Sequence, residues 1–414
     1  MTDVRTMGFT DVRATNLAVV LRHLRTNGPS SRAAIAASTG LNKATVSSLT
    51  SDLIDQRLLR ETGASGNRIG RPGTALTLDG SAFAAIGLQV AADRITALAV
   101  DFAGDQLLLW HRAFASPPEA AGPGRAISAI IALAQRAATR VRQQGRSVLG
   151  MTIAVPGLVD DRGVVRLSPA LGWSDVDLRG PVAGSLRQPD LIVTVSHQAT
   201  LAALAERQAV LAAPAAASAP TAILERQRAT LSEDNLVVVT GAAGIEAGIV
   251  ANGRPLHGAR GFTGQIGRFT LGPAGSPTLH DLAGIEPLVR RALPGFDPES
   301  LTDLGPSVEQ IAALARSGDA GVLAALRDTG RHLGQGLAIL ANVADPSVIV
   351  LGDHYATLAE WLIPPAEAEL AGHTLAPGGV RVVASELGLH AAALGGALSH
   401  LDRVDNGRSI PVTA

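Results

Sequence analysis

Apolar positions recur along this 414-residue chain with two different rhythms, and the change of rhythm marks its parts. From Asn16 to Asn27, Leu17, Val20, Leu21 and Leu24 line one face of a predicted helix. The run from Ser31 to Ser38 predicts a second, short helix, opened by a hydroxyl that can cap free backbone amides. It closes at Gly40, a residue free to take the positive φ of a sharp helix exit. Asn42 caps a third helix, in which Val46, Leu49, Leu53 and Ile54 fall at i, i+3, i+7 and i+8 and need a surface to bury against. Leu58–Arg60 and Ala75–Leu78 can pair as strands of a wing. From Ala82 the pattern changes to apolar runs at 83–90, 94–101 and 106–110, split by short polar breaks, which predicts an antiparallel meander. A helix over 126–143 follows, with apolar positions at Ile127, Ile130, Ile131, Leu133 and Ala134, and then a buried strand over 147–155.

The polar positions of the first part carry chemistry of their own. Opposite its apolar stripe, the third helix presents Lys43, Thr45, Ser47 and Ser48, hydrogen-bonding groups near the helix start, and Arg32 opens the helix before it. A recognition helix uses such a face to enter a major groove. Between the wing strands, Gly66 to Gly73 holds Arg68, Gly70, Arg71 and Pro72; a slim Gly-Arg-Pro element can lay its arginines in a narrow minor groove. That tripeptide also occurs in plain linkers, so its position after a winged helix-turn-helix carries the reading. Double-stranded DNA is the expected partner.

Charge sharpens this picture. Residues 1–78 carry ten basic and five acidic side chains, and the remaining chain carries 25 and 31. A basic head on an acidic body suits a protein that docks the phosphate backbone with one end, and the modest excess implies two heads, hence a homodimer or tetramer. The chain has no cysteine, which excludes disulfides and thiolate metal sites. With no apolar leader before Asn16 and no run of about 20 apolar residues, no membrane partner and a cytoplasmic location are expected.

In the body, several separated motifs stand in a familiar order: Pro156-Gly157-Leu158-Val159-Asp160, Ser168-Pro169-Ala170, Leu201 to Glu206, Gly244 to Val250, Gly261 to Gly267, Asp345 to Gly352 and Ala391 to Gly395. This pattern resembles the ROK family, which groups bacterial sugar-responsive repressors with sugar kinases, and the likeness runs from about residue 16 to 400. The resemblance implies an α/β fold with an N-terminal winged helix-turn-helix (16–78, after a tail over 1–15) and two actin/hexokinase-like (ribonuclease H-like) lobes. The small lobe spans 79–196, completed by a C-terminal helix over 388–403. The large lobe spans 197–387 with an Ala-Pro-Ser-rich exposed insertion at 212–232, and 404–414 forms a tail.

The resemblance also shows which kinase parts are missing. The family's first phosphate loop, Asp-x-Gly-Gly-Thr, is replaced by Gln89-Val90-Ala91-Ala92-Asp93. In the second loop Glu246 stands where glycine is usual, and a carboxylate there repels polyphosphate. The family's general base corresponds to Gln198, an amide that cannot accept the proton, and His197 lies one residue off that position. The zinc-binding histidine corresponds to Arg268, and the cysteine loop is cut to Gly275–Asp281, including His280. No catalytic residue, metal or cofactor is expected. The family's sugar-contacting positions read Gly157, Ala170, His197, Gln198, Gln265 and Arg268, with His280 nearby in sequence. A neutral hexose is expected to bind poorly at such a set, and Arg268 with His197 suits an anionic, sugar-derived effector; a pocket that binds nothing is the equal alternative. The expectation is a kinase-inactive DNA-binding repressor. A ligand-independent regulator and an active sugar kinase are its rivals.

Overall fold

The computed structural model describes residues 9–63, 74–113, 122–212, 234–242, 244–295, 303–375 and 378–407. The head comprises α1 (Phe9–Asn27), β1 (Ser30–Ser31), α2 (Arg32–Thr39), α3 (Lys43–Asp55), β2 (Leu59–Thr62) and β3 (Ala75–Leu78). Helix α1 begins at Phe9, earlier than the Asn16 start read from the sequence. Nothing in Thr10–Thr15 breaks a helix, and Arg13 on the added turn pairs with Asp52 of α3. The caps of α2 and α3 follow the sequence reading. Ser31 accepts a hydrogen bond from the Ala34 amide (3.2 Å), Asn42 from the Thr45 amide (2.7 Å), and Gly40 leaves α2 at φ 73°. Strand β3 lies between β2 and β1, pairing Leu78 with Leu59 and Leu76 with Ser30, so the wing gains a third strand too short to show a period in the sequence.

The body opens with the antiparallel meander β4 (Phe83–Val90), β5 (Arg94–Asp101) and β6 (Gln106–Ala113), then α4 (Gly124–Gln143) and β7 (Ser147–Val155). A small sheet of β8 (Leu158–Val159), β9 (Val164–Ser168) and β10 (Trp173–Asp177) precedes α5 (Arg179–Ser185) and β11 (Ile192–His197). The first large sheet has the order β11-β7-β4-β5-β6, with β7 parallel to both β4 and β11. Helix α6 (Gln198–Ala212) leads to β12 (Leu236–Gly241), β13 (Ile245–Ala251) and β14 (Arg254–Pro255). The helices α7 (Leu279–Ala283), α8 (Ile285–Ala292), α9 (Gly305–Arg316) and α10 (Ala320–Ala344) follow, then β15 (Val348–Asp353). Helices α11 (His354–Thr357) and α12 (Ala359–Gly372), β16 (Arg381–Ala384) and α13 (Ala391–Asp405) complete the chain's described elements. The second large sheet reads β14-β13-β12-β15-β16. The insertion expected at 212–232 lies, beyond Ala212, outside the described residues.

Strand β4 is buried along its whole length because helices cover both its faces, α4 on one and α13 on the other. The second cover is close. A Cβ on Gly87 of β4 would stand 1.7 Å from the Ala393 carbonyl, so only glycine lets the strand and α13 meet. The apolar cluster beneath α13 does not stop at the body: Leu17, Leu21 and Leu24 of α1 join Phe83, Phe102, Leu398 and Leu401 in one continuous core. Arg25 of α1 reinforces the junction, pairing with Asp405 of α13, donating to the Phe102 carbonyl (3.1 Å) and lying 5.2 Å from the Phe102 ring centroid. Arg22 donates to Asn406 at 2.7 Å. The head is therefore packed onto the body. Among the described residues no helix is long and apolar enough to cross a membrane.

Candidate DNA-binding surface and buried cleft cluster

Helix α3 separates its groups cleanly. Val46, Leu49 and Leu53 are fully buried, and Ile54 is half-buried against the same cluster. On the opposite side Lys43, Ser47 and Ser48 are exposed, while Thr45 is half-buried. Burying an i, i+3, i+7 stripe fixes the helix rotation, so the outward set is dictated by the same spacing. Arg32 is placed differently from the other candidate contacts. Its Nε donates to Thr50 (3.1 Å) and its terminal nitrogen pairs with Glu61 (3.0 Å), tying α2 to α3 and β2. Arg68, Gly70, Arg71 and Pro72 lie outside the described residues.

Between the lobes the structure brings four of the sequence-selected residues together around a fifth. Gly157 follows β7, His197 ends β11, Gln198 starts α6, and Gln265 precedes a 3-10 turn at 266–268. All four meet Glu246, the second residue of β13. Its Oε1 accepts from the Gly157 amide (2.7 Å) and its Oε2 from Gln198 Nε2 (2.9 Å). His197 Nε2 is 3.2 Å from Oε2, and Gln265 Nε2 stands 3.3 Å from both Oε1 and the His197 ring. Gly157 sits at φ 100°, where a Cβ would meet the Leu167 carbonyl at 2.3 Å, so the amide that reaches Glu246 must belong to glycine. Burial pushes the Glu246 carboxyl up, yet the charge of His197 and the hydrogen bonds from His197, Gln198 and Gly157 outweigh it and hold the group below its ordinary value.

The sequence predicts a phosphate repellent at Glu246, and the structure gives it a further role as the hub of this cluster. The signal was a lone carboxylate in the apolar strand Ile245–Ala251, which must find partners when buried. The other three candidates stand apart from the hub. Ala170 is half-buried in the 3-10 turn at 169–171, Arg268 is exposed, and His280 is half-buried in α7; among the described residues no hydrogen bond joins them to it. The zinc site of the family finds no fit here: Arg268 cannot ligate, no cysteine exists, and Thr278 and Asp281 instead form a capping box for α7.

The phosphate side of the cleft is lined with acid. Asp353 ends β15 at φ 51° and ψ −133°, a strained conformation for a residue with a side chain. Burial first, then Glu246 and Glu206, push its carboxyl up to about 7. His354 beside it is held down at about 4 by burial and Arg94. Asp93, the last residue of the replaced first loop, pairs with Arg94 (2.8 Å), which also pairs with Asp303 (3.0 Å). These acids, with Arg94 already paired to Asp93 and Asp303, repel a triphosphate rather than cradle it.

Comparison with known proteins agrees with this geometry. The ROK family profile matches residues 85–402 and the IclR helix-turn-helix domain profile matches residues 14–63. The xylose repressor of Bacillus spizizenii is 26% identical over 394 residues, covering 93% of this chain and 94% of its own. The DNA-binding transcriptional dual regulator NagC of Escherichia coli is 26% identical over 369 residues, covering 86% of this chain and 84% of its own. A solved ROK family transcriptional regulator, a homolog of the E. coli MLC protein, shares the fold with a TM-score of 0.73 at 21% identity, covering 96% of this chain and 98% of that one. With a helix-turn-helix ahead of a body stripped of kinase groups, and relatives that are regulators along their whole length, the chain belongs to the ROK family, as one of its DNA-binding transcriptional repressors and not one of its kinases.

Proposed function

We propose that α3 enters the major groove of an operator through Lys43, Thr45, Ser47 and Ser48, that Arg68 and Arg71 of the Gly-Arg-Pro segment add backbone or minor-groove contacts, and that two or more copies bind together. One observation carries this reading: Val46, Leu49 and Leu53 of the α3 stripe are fully buried, so Lys43, Ser47 and Ser48 face away from the core, and their side chains have no hydrogen-bond partner among the described residues of the head. Arg32 acts as an internal tie that orients α3 through Thr50 and Glu61. Quantitative DNA binding at several salt concentrations tests the contacts. Lys43→Ala weakens binding across all sequences and lowers the salt slope by about one unit, while Ser47→Ala changes sequence preference. Unchanged affinity and slope in Lys43→Ala overturn the groove assignment.

The cleft cluster supports a sugar-derived effector of a different kind from the anion read in the sequence. The family's acceptor at position 265 has become an amide, but Glu246 restores an acceptor within the same cluster, surrounded by donors and acceptors on His197, Gln198 and Gln265. Such a set suits adjacent hydroxyls of a neutral sugar, and a second negative charge beside Glu246 is disfavoured. The xylose repressor and the N-acetylglucosamine repressors among its relatives carry sugar names. Calorimetry with a panel of neutral pentoses and hexoses, with wild type and Glu246→Gln, tests it. Binding lost in the variant supports the reading; no heat and no melting shift with any sugar favour a regulator without this ligand.

A further inference from the structure

A cavity of about 480 Å³ opens beside the edge strand β11, between α6, α13 and the loop that follows β14. It shares only His197 with the Glu246 cluster, and its lining has a different character. Its floor is a set of hydroxyls. Thr152 Oγ1 lies 2.8 Å from Thr194 Oγ1 and 3.1 Å from Ser399 Oγ, and 2.9 Å from Nε2 of the buried His400. The grouping follows from register: Thr152 and Thr194 are paired residues of the parallel strands β7 and β11, so their side chains share the face that α13 covers. Two guanidinium groups flank this floor. Arg403 of α13 has a buried Nε with no hydrogen-bond partner among the described residues. Arg260 on the exposed loop is held over the Phe262 ring at 5.4 Å. At the rim Asp160 is already engaged by Arg166 at 2.7 Å, and Asp161 is the other acidic side chain of the lining.

Two guanidinium groups beside the half-buried hydroxyls of Thr194 and Ser399, in a space large enough for a small metabolite, are poorly explained by packing alone. We propose that this cavity is a ligand site separate from the Glu246 cluster, for a small hydroxylated anion such as a phosphorylated or carboxylated sugar. Arg403 and Arg260 hold the anionic group, in charge-assisted and bidentate fashion where the oxygens allow, and the half-buried hydroxyls of Thr194 and Ser399 accept from and donate to the sugar hydroxyls.

Calorimetric titration of the full-length protein with glucose 6-phosphate, inorganic phosphate and glucose, at one fixed ionic strength, tests the site. Glucose 6-phosphate is expected to bind more tightly than phosphate, and Arg403→Gln and Arg260→Gln each to weaken it by about tenfold. Glu246→Gln and Gln265→Ala should leave that affinity within about twofold, which separates this site from the cleft, so the two readings stand or fall independently. Arg260 lies on an exposed loop, so its variant keeps the test open if Arg403→Gln does not fold. Absence of heat with both anions overturns the proposal. Loss of anion binding in the Gln265 variant but not the arginine variants also overturns it, because the anion then sits in the cleft. A change of sedimentation coefficient in Arg260→Gln with unaltered anion affinity overturns it too, marking the cavity as a contact between subunits.

Discussion

The helix-turn-helix and the cleft are both rich in small hydrogen-bonding groups, but they satisfy them in opposite ways. On α3, Lys43, Ser47 and Ser48 stand in solvent over an interior of Val46, Leu49 and Leu53. In the cleft, Glu246, His197 and Gln198 are buried and bond to one another. An exposed donor loses little while it waits for a phosphate or a base edge, whereas a buried carboxylate must be satisfied in the absence of any ligand. The head is therefore ready to bind as it stands, and the cleft must exchange internal hydrogen bonds for those of an effector. That exchange makes the cleft suited to a switch and the head to a grip.

The difference can be broken first at Glu246. Glu246→Ala leaves the Gly157 amide and Gln198 without their acceptor and is expected to cost about 3 kcal/mol of stability, read by urea unfolding, with DNA contacts of the head untouched. A loss below about 1 kcal/mol contradicts the cluster as a structural unit.

The junction between the regions comes next. Arg25→Ala removes the partner of a buried Asp405 and is expected to cost about 2 kcal/mol, and to raise hydrogen exchange at the α1 and α13 contact. Exchange confined to the mutated residue would show that the head does not depend on this tie.

The acid side of the cleft gives a pH-dependent test of smaller size. With its carboxyl held at about 7, Asp353 keeps in the native state a proton that the unfolded chain releases near 4, so its burden on stability grows as pH rises between those values and levels off above. Asp353→Asn should therefore gain on wild type as pH is raised from 5 to 8, by at least about 1 kcal/mol, followed by melting curves. A constant gap across that range contradicts the assignment. Smallest is Ser47→Ala, expected to leave stability within about 0.5 kcal/mol and to alter only sequence preference, measured by selection from a randomised operator pool.

What the sequence made legible follows the same division. The caps at Ser31, Gly40 and Asn42 and the stripe of α3 are local, set by neighbours within one or two turns, and they stand in the structure as read. So do the strands of the meander and the long helix behind them, whose periods are written in consecutive residues. The hub of the cleft was not legible. Glu246 meets an amide 89 positions away, and its role depends on His197, Gln198 and Gln265 arriving from three different elements. The internal partners of Arg32 were hidden for a related reason: Thr50 and Glu61 are brought near it only by folding. The continuity of the head with α13 was equally hidden, because Leu17 and Leu401 are far apart in the chain yet share one core.

The measurement that tests the account most directly is equilibrium binding of the intact protein to fragments of its host's genome across a range of salt. The account predicts tight, site-selective binding whose logarithm falls linearly with the logarithm of salt concentration, and a shallower slope for Lys43→Ala. Binding absent at low salt, or present with the same slope in that variant, would contradict it.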